Sequence, residues 1–273
     1  MITRDWIASA AKRLNNTGCE SAQLEATLIA AHLFSNSRAW MLAHLEESID
    51  EASAELLLKR RLKHEPLAYV LEKQEFFGRS FRVRSGVLIP RPETEILVEV
   101  ALKELPQNAR VLDLGTGSGC IAISLALENP EYQITACDIS QEALTIASEN
   151  AKSLGAHIAI VQSDLFSALD GQQFHAIVAN PPYVETTANL APEISEFEPK
   201  VALFAGEDGL DVYRRLAVEA KQYLVPGGQL ITEIGAGQAA CIQNFFAAEN
   251  WKPGEQWNDL AGHTRVLQFW RVD

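Results

Sequence analysis

From residue 111 onward, short apolar runs alternate with longer helix-forming stretches, and nothing else in this 273-residue chain restricts its fold as much. Val111-Leu112-Asp113-Leu114 reads as a strand, residues 120–127 as a helix, 132–137 as a strand, 141–153 as a helix and 158–161 as a strand. Ala176-Ile177-Val178-Ala179 follows as a buried strand, then a helix over 209–224, a strand over 229–234 and a closing strand over 264–272. Such alternation predicts an α/β fold, a parallel sheet with helices on both faces. Open sheets of this kind bind ligands outside the carboxyl ends of their strands. The residues just past each strand are therefore the ones to read for chemistry.

The chain before this region follows another pattern. Residues 1–75 read as short helices, with Leu24, Leu28, Ala31 and Leu33 close to one stripe and with Ser37 and Asp50 as caps. Segments this short must pack together, so a separate helical bundle is expected over 1–75. The pattern changes at Glu75-Phe76-Phe77-Gly78. Arg84-Ser85-Gly86, flanked by Phe81 and Val83 and by Val87-Leu88-Ile89, reads as the turn of a linking β-hairpin over 76–90. Pro90-Arg91-Pro92 stops it, and Glu93-Thr94-Glu95 opens the first helix of a third segment, 91–273.

Composition narrows the classes. No apolar run approaches the roughly 18 residues of a membrane helix, and Met1-Ile2-Thr3-Arg4-Asp5-Trp6 does not open a signal peptide. The four cysteines are scattered without a Cys-x-x-Cys pair, so buried thiols in a reducing cytoplasm are expected. The six histidines, His32, His44, His64, His157, His175 and His263, lack metal-ligand spacing. A net charge of −13 argues against a broad nucleic-acid-binding face. Two basic clusters stand out, Lys59-Arg60-Arg61 with Lys63, and Arg79, Arg82, Arg84 and Arg91. Each reads either as a solvated face or as a docking surface for an acidic or RNA-bound partner.

Asp113-Leu114-Gly115-Thr116-Gly117-Ser118-Gly119 lies between a strand and a helix, the context of a cofactor loop. A dinucleotide site needs GxGxxG, and a pyrophosphate wants the helix N-terminus. Here the spacing is GxGxG with a carboxylate two residues ahead, which suits a cationic amino group. S-Adenosylmethionine carries an ammonium, a sulfonium and no phosphate. Asp138, at the end of the second strand, is placed to accept ribose hydroxyls. Asp164, after the third, is placed to bond the adenine amine, with Leu165 and Phe166 along the ring. Each Asp alone could equally be a helix cap.

Asn180-Pro181-Pro182-Tyr183 follows the fourth strand. Two prolines fix φ and remove two N–H donors, which leaves rigid carbonyl acceptors beside the Asn180 amide. Such a pocket suits a planar nitrogen group with two N–H donors, either a carboxamide or the exocyclic amine of a base. Loop, strand-end aspartates and this box in this order predict a methyltransferase acting on nitrogen.

At these residues the chain resembles the peptide chain release factor N5-glutamine methyltransferases, the HemK-like family. The matching stretches are Glu65-Pro66-Leu67-Ala68-Tyr69, Glu75-Phe76-Phe77-Gly78, Val87-Leu88-Ile89-Pro90-Arg91-Pro92-Glu93-Thr94-Glu95, residues 111–125, Asn180-Pro181-Pro182-Tyr183, and Glu198-Pro199-Lys200-Val201-Ala202-Leu203 with Gly209-Leu210. The box of residues 180–183 is shared with enzymes that methylate DNA and RNA bases, whereas the segment of residues 88–95 is far more specific. The family usually has glycine where this chain has Glu72, and arginine where it has Lys200. The resemblance implies a Rossmann-like seven-stranded S-adenosylmethionine-dependent domain joined to a factor-binding helical domain. It also implies a class I release factor as partner, with the glutamine of its Gly-Gly-Gln loop as target. Asn180 and Pro181 would hold that glutamine, Tyr183 would pack on it, and Phe77 or Tyr69 would close the pocket. A cytoplasmic monomer that binds no DNA is expected. The rival readings are an amino-methyltransferase acting on adenine or guanine, and a non-catalytic binding module.

Overall fold

The computed structural model describes residues 1–272 and divides the chain into two compact units. The first comprises Met1–Lys73 with Leu190–Phe197, the second Gln74–Asn189 with Glu198–Asp273.

The first unit is helical: α1 (Thr3–Asn15), α2 (Ala22–Leu33), α3 (Arg38–Ala43), α4 (Glu51–Arg61) and α5 (Leu67–Val70). Ser37 Oγ accepts from Trp40 N and Asp50 Oδ1 from Ala52 N, so both residues cap the helices they precede. Trp6, Leu14, Ile29, Met41 and Leu58 form its core. In the basic cluster of α4 the two arginines are paired within the unit, while Lys59 and Lys63 are exposed. Arg61, 5% exposed, donates to Glu25 Oε2 at 2.5 Å and to Glu193 Oε1 at 2.6 Å. Arg60 pairs with Glu65 and donates to the Tyr69 and Val70 carbonyls. Buried charges require such pairing. The Arg61–Glu193 pair ties residues 190–197, which the sequence places in the third segment, to the helical unit.

The second unit opens with a hairpin, β1 (Gln74–Phe76) and β2 (Arg79–Phe81), displaced from the turn expected at Arg84-Ser85-Gly86. Phe77 and Gly78 form its two-residue loop at φ 49° and 70°. Two consecutive positive φ values match the twist of a tight hairpin, which a flexible 84–86 turn would not. Residues 82–86 instead run along α8 (Gln141–Leu154), where Asn150 exchanges hydrogen bonds with the Arg82 backbone at 2.7 and 2.9 Å. The arginines of the second basic cluster are also paired within the unit, largely at its surface: Arg79 with Glu128, Arg82 and Arg84 with Glu149, and Arg91 with Glu198.

The remaining elements are α6 (Glu95–Glu104), β3 (Arg110–Leu114), α7 (Cys120–Glu128), β4 (Gln133–Asp138), β5 (Ala159–Gln162) and β6 (Phe174–Ala179). After α9 (Pro192–Ser195), in the first unit, come α10 (Asp211–Glu219), β7 (Leu224–Glu233), α11 (Ala239–Ala248), β8 (Lys252–Asn258) and β9 (Thr264–Trp270). The seven-stranded sheet has the order β5-β4-β3-β6-β7-β9-β8. Its first five strands are parallel, and β9 pairs antiparallel with both β7 and β8. Alternate residues serve opposite faces. Val111, Ala136, Val178 and Ile231 pack under α6 and α7, while Leu112, Cys137, Ile177 and Leu230 pack under α10 and α11. Chain order reverses between β3 and β6, which makes their carboxyl ends the switch point of the sheet. No helix among the described residues is long and apolar enough to cross a membrane.

Glu72 adopts φ 52°, a backbone region in which glycine, the residue the family resemblance leads one to expect here, carries no steric cost. Glu72→Gly is expected to raise the stability of the chain by about 1 kcal/mol, the cost of holding a side chain in that region. Denaturant unfolding of the two proteins checks it, and equal midpoints would remove the strain argument.

Candidate active site

Leu114 of β3 pairs with Ala179 of β6, and Leu114 also pairs with Cys137 of β4. Three strands therefore end together, and the segments that follow them meet over one cavity of about 320 Å³, within the range of small-molecule sites. Gly115, Gly117, Asp138, Ser140, Asp164 and Leu165 line one part; Asn180, Pro181 and Pro182 line another.

The glycine loop is held by its own backbone. Gly115 N and Thr116 N both donate to Cys137 O at 2.9 Å, and Gly119 N donates to Thr116 O at 2.8 Å. Gly115, Gly117 and Gly119 all have positive φ. A Cβ at Gly119 would lie 2.9 Å from Ile123 Cδ1 and 3.2 Å from Ala147 Cβ, so this third glycine lets α7 approach α8. Ser118 is held from behind, since its carbonyl accepts from Asn150 Nδ2 at 2.8 Å. Sequence reasoning missed Asn150, a polar residue on a buried helix face whose partners lie 32 and 68 positions away.

The aspartates differ in placement. Asp138 lines the cavity, with Oδ2 accepting from Gly117 N and Oδ1 from Ser140 N, both at 2.9 Å. Each oxygen keeps a second lone pair for a ligand. Burial raises its pKa. Asp113 lies beneath the loop and outside the cavity lining, where its Oδ2 accepts from Thr116 Oγ1 at 2.6 Å and Ala122 N at 3.1 Å. Its Oδ1 is buried with no partner, and burial pushes the carboxyl up to about 7. Asp164 is exposed and pairs with Arg215 at 2.8 Å, a second cavity-lining residue. Leu165 lines the cavity at φ 47°. Phe166 does not; it stacks on Tyr223 in the core, with ring centroids 4.5 Å apart.

Two expected substrate contacts also lie elsewhere. Phe77 is outside the lining, at the β1–β2 turn, where its N–H donates to Glu95 Oε1 at 2.8 Å. Tyr183 is outside it too, packed so closely on Gly235 that a Cβ there would meet its Cδ2 at 3.1 Å. Its carbonyl accepts from Gln238 Nε2 at 3.0 Å, and burial pushes its hydroxyl up to about 12. Tyr183 thus anchors the box from behind. Gly86, Val87 and Leu88 with Pro199, Val201 and Phe204 complete the cavity instead. These two segments are joined by Glu198, whose buried carboxylate accepts from Ile89 N at 3.1 Å and Arg91 Nη2 at 2.5 Å. The buried Cys120 and Cys137 thiols are pushed up to about 12 by burial and the nearby Asp113 carboxylate, which keeps both protonated at neutral pH. Cys241, expected buried, is exposed.

The donor set fits S-adenosylmethionine. Carboxylates face the cavity at Asp138 and Asp164, its lining is largely apolar, and its one basic residue among the described lining, Arg215, is neutralised by Asp164. A phosphate finds no free cation there.

Family models agree with this geometry. Residues 92–197 match "Methyltransferase small domain" and residues 5–71 match "PrmC N-terminal domain". A release factor glutamine methyltransferase from Koribacter versatilis is 41% identical over 275 residues, covering 98% of each chain. The chain belongs to the release factor glutamine methyltransferase family. It also matches a bifunctional methyltransferase from Rickettsia prowazekii, 40% identical over 290 residues. That alignment takes in 96% of this chain but 56% of the relative, so this member of the family spans just over half the length of that protein. Among solved structures, a methyltransferase from Pyrococcus furiosus shares the fold at TM-score 0.57 and 16% identity, over 82% of this chain and all of that one.

Two outcomes follow from the aspartates. Asp138→Ala is expected to weaken S-adenosylmethionine binding by about 1.5–3 kcal/mol, the worth of a charged hydrogen bond. Calorimetry reads it, and an unchanged Kd would remove Asp138 from the site. Asp113, raised from 3.8 to about 7, opposes folding once ionised. Its stabilising contribution is complete below the unfolded value and is lost as pH rises through about 7. Asp113→Asn should therefore flatten the fall of Tm between acid and neutral pH; an unaltered slope would contradict the burial argument.

Proposed function

We propose that this chain transfers the methyl group of S-adenosylmethionine to the side-chain amide nitrogen, N5, of a glutamine in peptide chain release factors, the glutamine of the Gly-Gly-Gln loop of class I factors. The observation that carries the reading is one cavity with Gly115, Gly117 and Asp138 on one side and Asn180, Pro181 and Pro182 on another. The names of the relatives supply the substrate class.

Bound against the glycine loop and Asp138, S-adenosylmethionine supplies an electrophilic methyl group. The remaining work falls to this chain. An amide nitrogen is a poor nucleophile because its lone pair is delocalised into the carbonyl. Positioning is therefore the largest contribution available. Asn180 Oδ1 and the Pro181 carbonyl each accept one N–H of the glutamine amide, which holds the nitrogen in place. The same two dipoles favour the positive charge that grows on it. Pro181 and Pro182 keep those acceptors rigid. No base is required, since the alkylated amide is strongly acidic and loses its proton to water.

The helical first unit recognises the factor, and the protein acts as a cytoplasmic monomer without binding DNA. Four free cysteines suit that compartment. The net charge of −13 and the internal pairing of Arg79, Arg82, Arg84 and Arg91 leave little for a nucleic acid to bind.

The test is transfer of labelled methyl to purified release factor, with a Gln→Ala factor as control. Label is expected on the normal factor alone. Asn180→Ala should lose most transfer while its cofactor Kd stays close to wild type. Label on added RNA or DNA but not on protein, or full activity in Asn180→Ala, would sink the reading.

A further inference from the structure

The buried face of α8 carries Ala143, Leu144, Ile146, Ala147 and Ala151, and among them one carboxamide, Asn150, 2% exposed. A carboxamide out of water is costly unless it is hydrogen bonded. Nδ2 donates to Ser118 O at 2.8 Å and to Arg82 O at 2.9 Å, and Oδ1 accepts from Arg82 N at 2.7 Å. Both side-chain N–H groups are thus in use. The two ends of this bridge lead to different walls of the cofactor cavity. Ser118 follows Gly117, and Arg82 precedes Gly86, Val87 and Leu88, all four of which line it. Ser118, Arg82 and Asn150 themselves are outside the lining.

On the loop side, the Ser118–Gly119 peptide is a rigid plane. It is held at both edges, its carbonyl by Asn150 and its N–H by Thr116 O at 2.8 Å. Gly117 and Gly119, at φ 54° and 83°, would otherwise leave this stretch several conformations. On the other side, Arg82 is bonded through both of its backbone groups, as a strand residue is. At Gly86 the segment meets α8 again, where a Cβ would collide with the Glu142 side chain. The helix rises about 12 Å from residue 142 to residue 150, and the chain from 82 to 86 reaches at most about 14 Å. Little slack remains, so fixing Arg82 sets Gly86 against the first turn of α8, beside the cavity-lining Ser140 and Ala143.

We propose that Asn150 is a positioning residue for cofactor binding, whose single side-chain amide locks the glycine loop to the 82–88 segment so that both walls are set together. By the same link, S-adenosylmethionine bound on the loop tightens the hold on Arg82. The inference rests on the reading that the glycine loop holds S-adenosylmethionine, and not on the identity of the methyl acceptor. The segment has a second attachment to the same helix, since Arg82 and Arg84 both pair with Glu149. Those pairs lie at the surface, where ion pairs contribute little, and Glu149 makes no bond to the loop. They separate attachment of the segment to α8 from attachment of the segment to the loop.

Calorimetry with S-adenosylmethionine alone, without a release factor, reads the effect. Asn150→Ala is expected to raise the cofactor Kd roughly five- to thirtyfold, the loss of one or two hydrogen bonds. Glu149→Ala should change it by less than about twofold. An unchanged Kd in Asn150→Ala, or equal losses in the two variants, overturns the proposal. A second measurement uses the wild type, so it decides even if Asn150→Ala fails to fold. Hydrogen exchange followed by NMR compares the Gly117 and Arg82 amides with and without saturating S-adenosylmethionine. Both are expected to slow, although Arg82 lies outside the cavity lining. A role confined to packing would lower the Tm of Asn150→Ala and leave the Arg82 amide indifferent to the cofactor. A slowed Gly117 beside an unmoved Arg82 therefore overturns the proposal and leaves the cofactor reading intact. Wild-type protein that binds no S-adenosylmethionine would defeat the cofactor reading and the proposal with it.

Discussion

Parallel pairing of β3 with β6 is the constraint on which the second unit depends. Leu114 and Ala179 are its last paired residues, and the glycine loop and Asn180 each begin one position later. Strand spacing of roughly 5 Å then fixes how far apart the two segments can start. The same register hydrogen-bonds the Gly115 and Thr116 amides to the end of β4, which brings Asp138 to the loop. Rigidity at the strand ends thus comes from the sheet, and the proposed chemistry, which is mostly positioning, needs that rigidity.

Charge is spent inside the molecule. Arg61, Arg91 and Glu198 are all largely buried as side chains or paired with a buried partner, and each joins segments distant in sequence. Removing one partner of such a pair leaves an uncompensated charge in a poorly hydrated place, which costs more than the pair gains. The pairs therefore specify which segments meet more than they add net stability. Glu198 shows this best, since one carboxylate fixes both the 87–91 segment and the start of the 198–204 segment around the cavity. Asp113 and Glu233 are the exceptions, each with one oxygen lacking a partner and a raised pKa. Both stand beside the segments that line the cavity, where incomplete satisfaction is tolerated for function.

Much of this was legible beforehand. The strands β3, β4, β5 and β6 could be read because they are short apolar runs bounded by turn residues. β8 could not: Lys252–Asn258 is an exposed antiparallel edge with Pro253, Gly254 and two register irregularities, so it carries no alternation to detect. The hairpin was misplaced because apolar residues flank Arg84-Ser85-Gly86 on both sides, while the true turn puts Phe77, an unusual residue, at positive φ. The acidic partners of the clustered arginines went unread because partner identity is invisible from composition. Asn180, Asp138, Gly115 and Gly117, which line the cavity, could be picked out from their position after strands; Asn150 and Thr94 were missed because their partners are distant in sequence.

By itself the sequence determined what is local: where strands stop, which loop admits positive φ, and that Asn180-Pro181-Pro182 presents rigid acceptors. These follow from steric and hydrogen-bonding preferences acting over a few residues. Tertiary structure alone decided which of those pieces share a cavity, and it turned Tyr183 and Phe77 away from it. It also chose the partners of the critical polar groups, Asn180 with Thr94 across 86 positions, Arg91 with Glu198 across 107, and Arg61 with Glu193 across 132. Such pairs form where packing removes water and brings the partners within reach, and burial is a property of the packed chain.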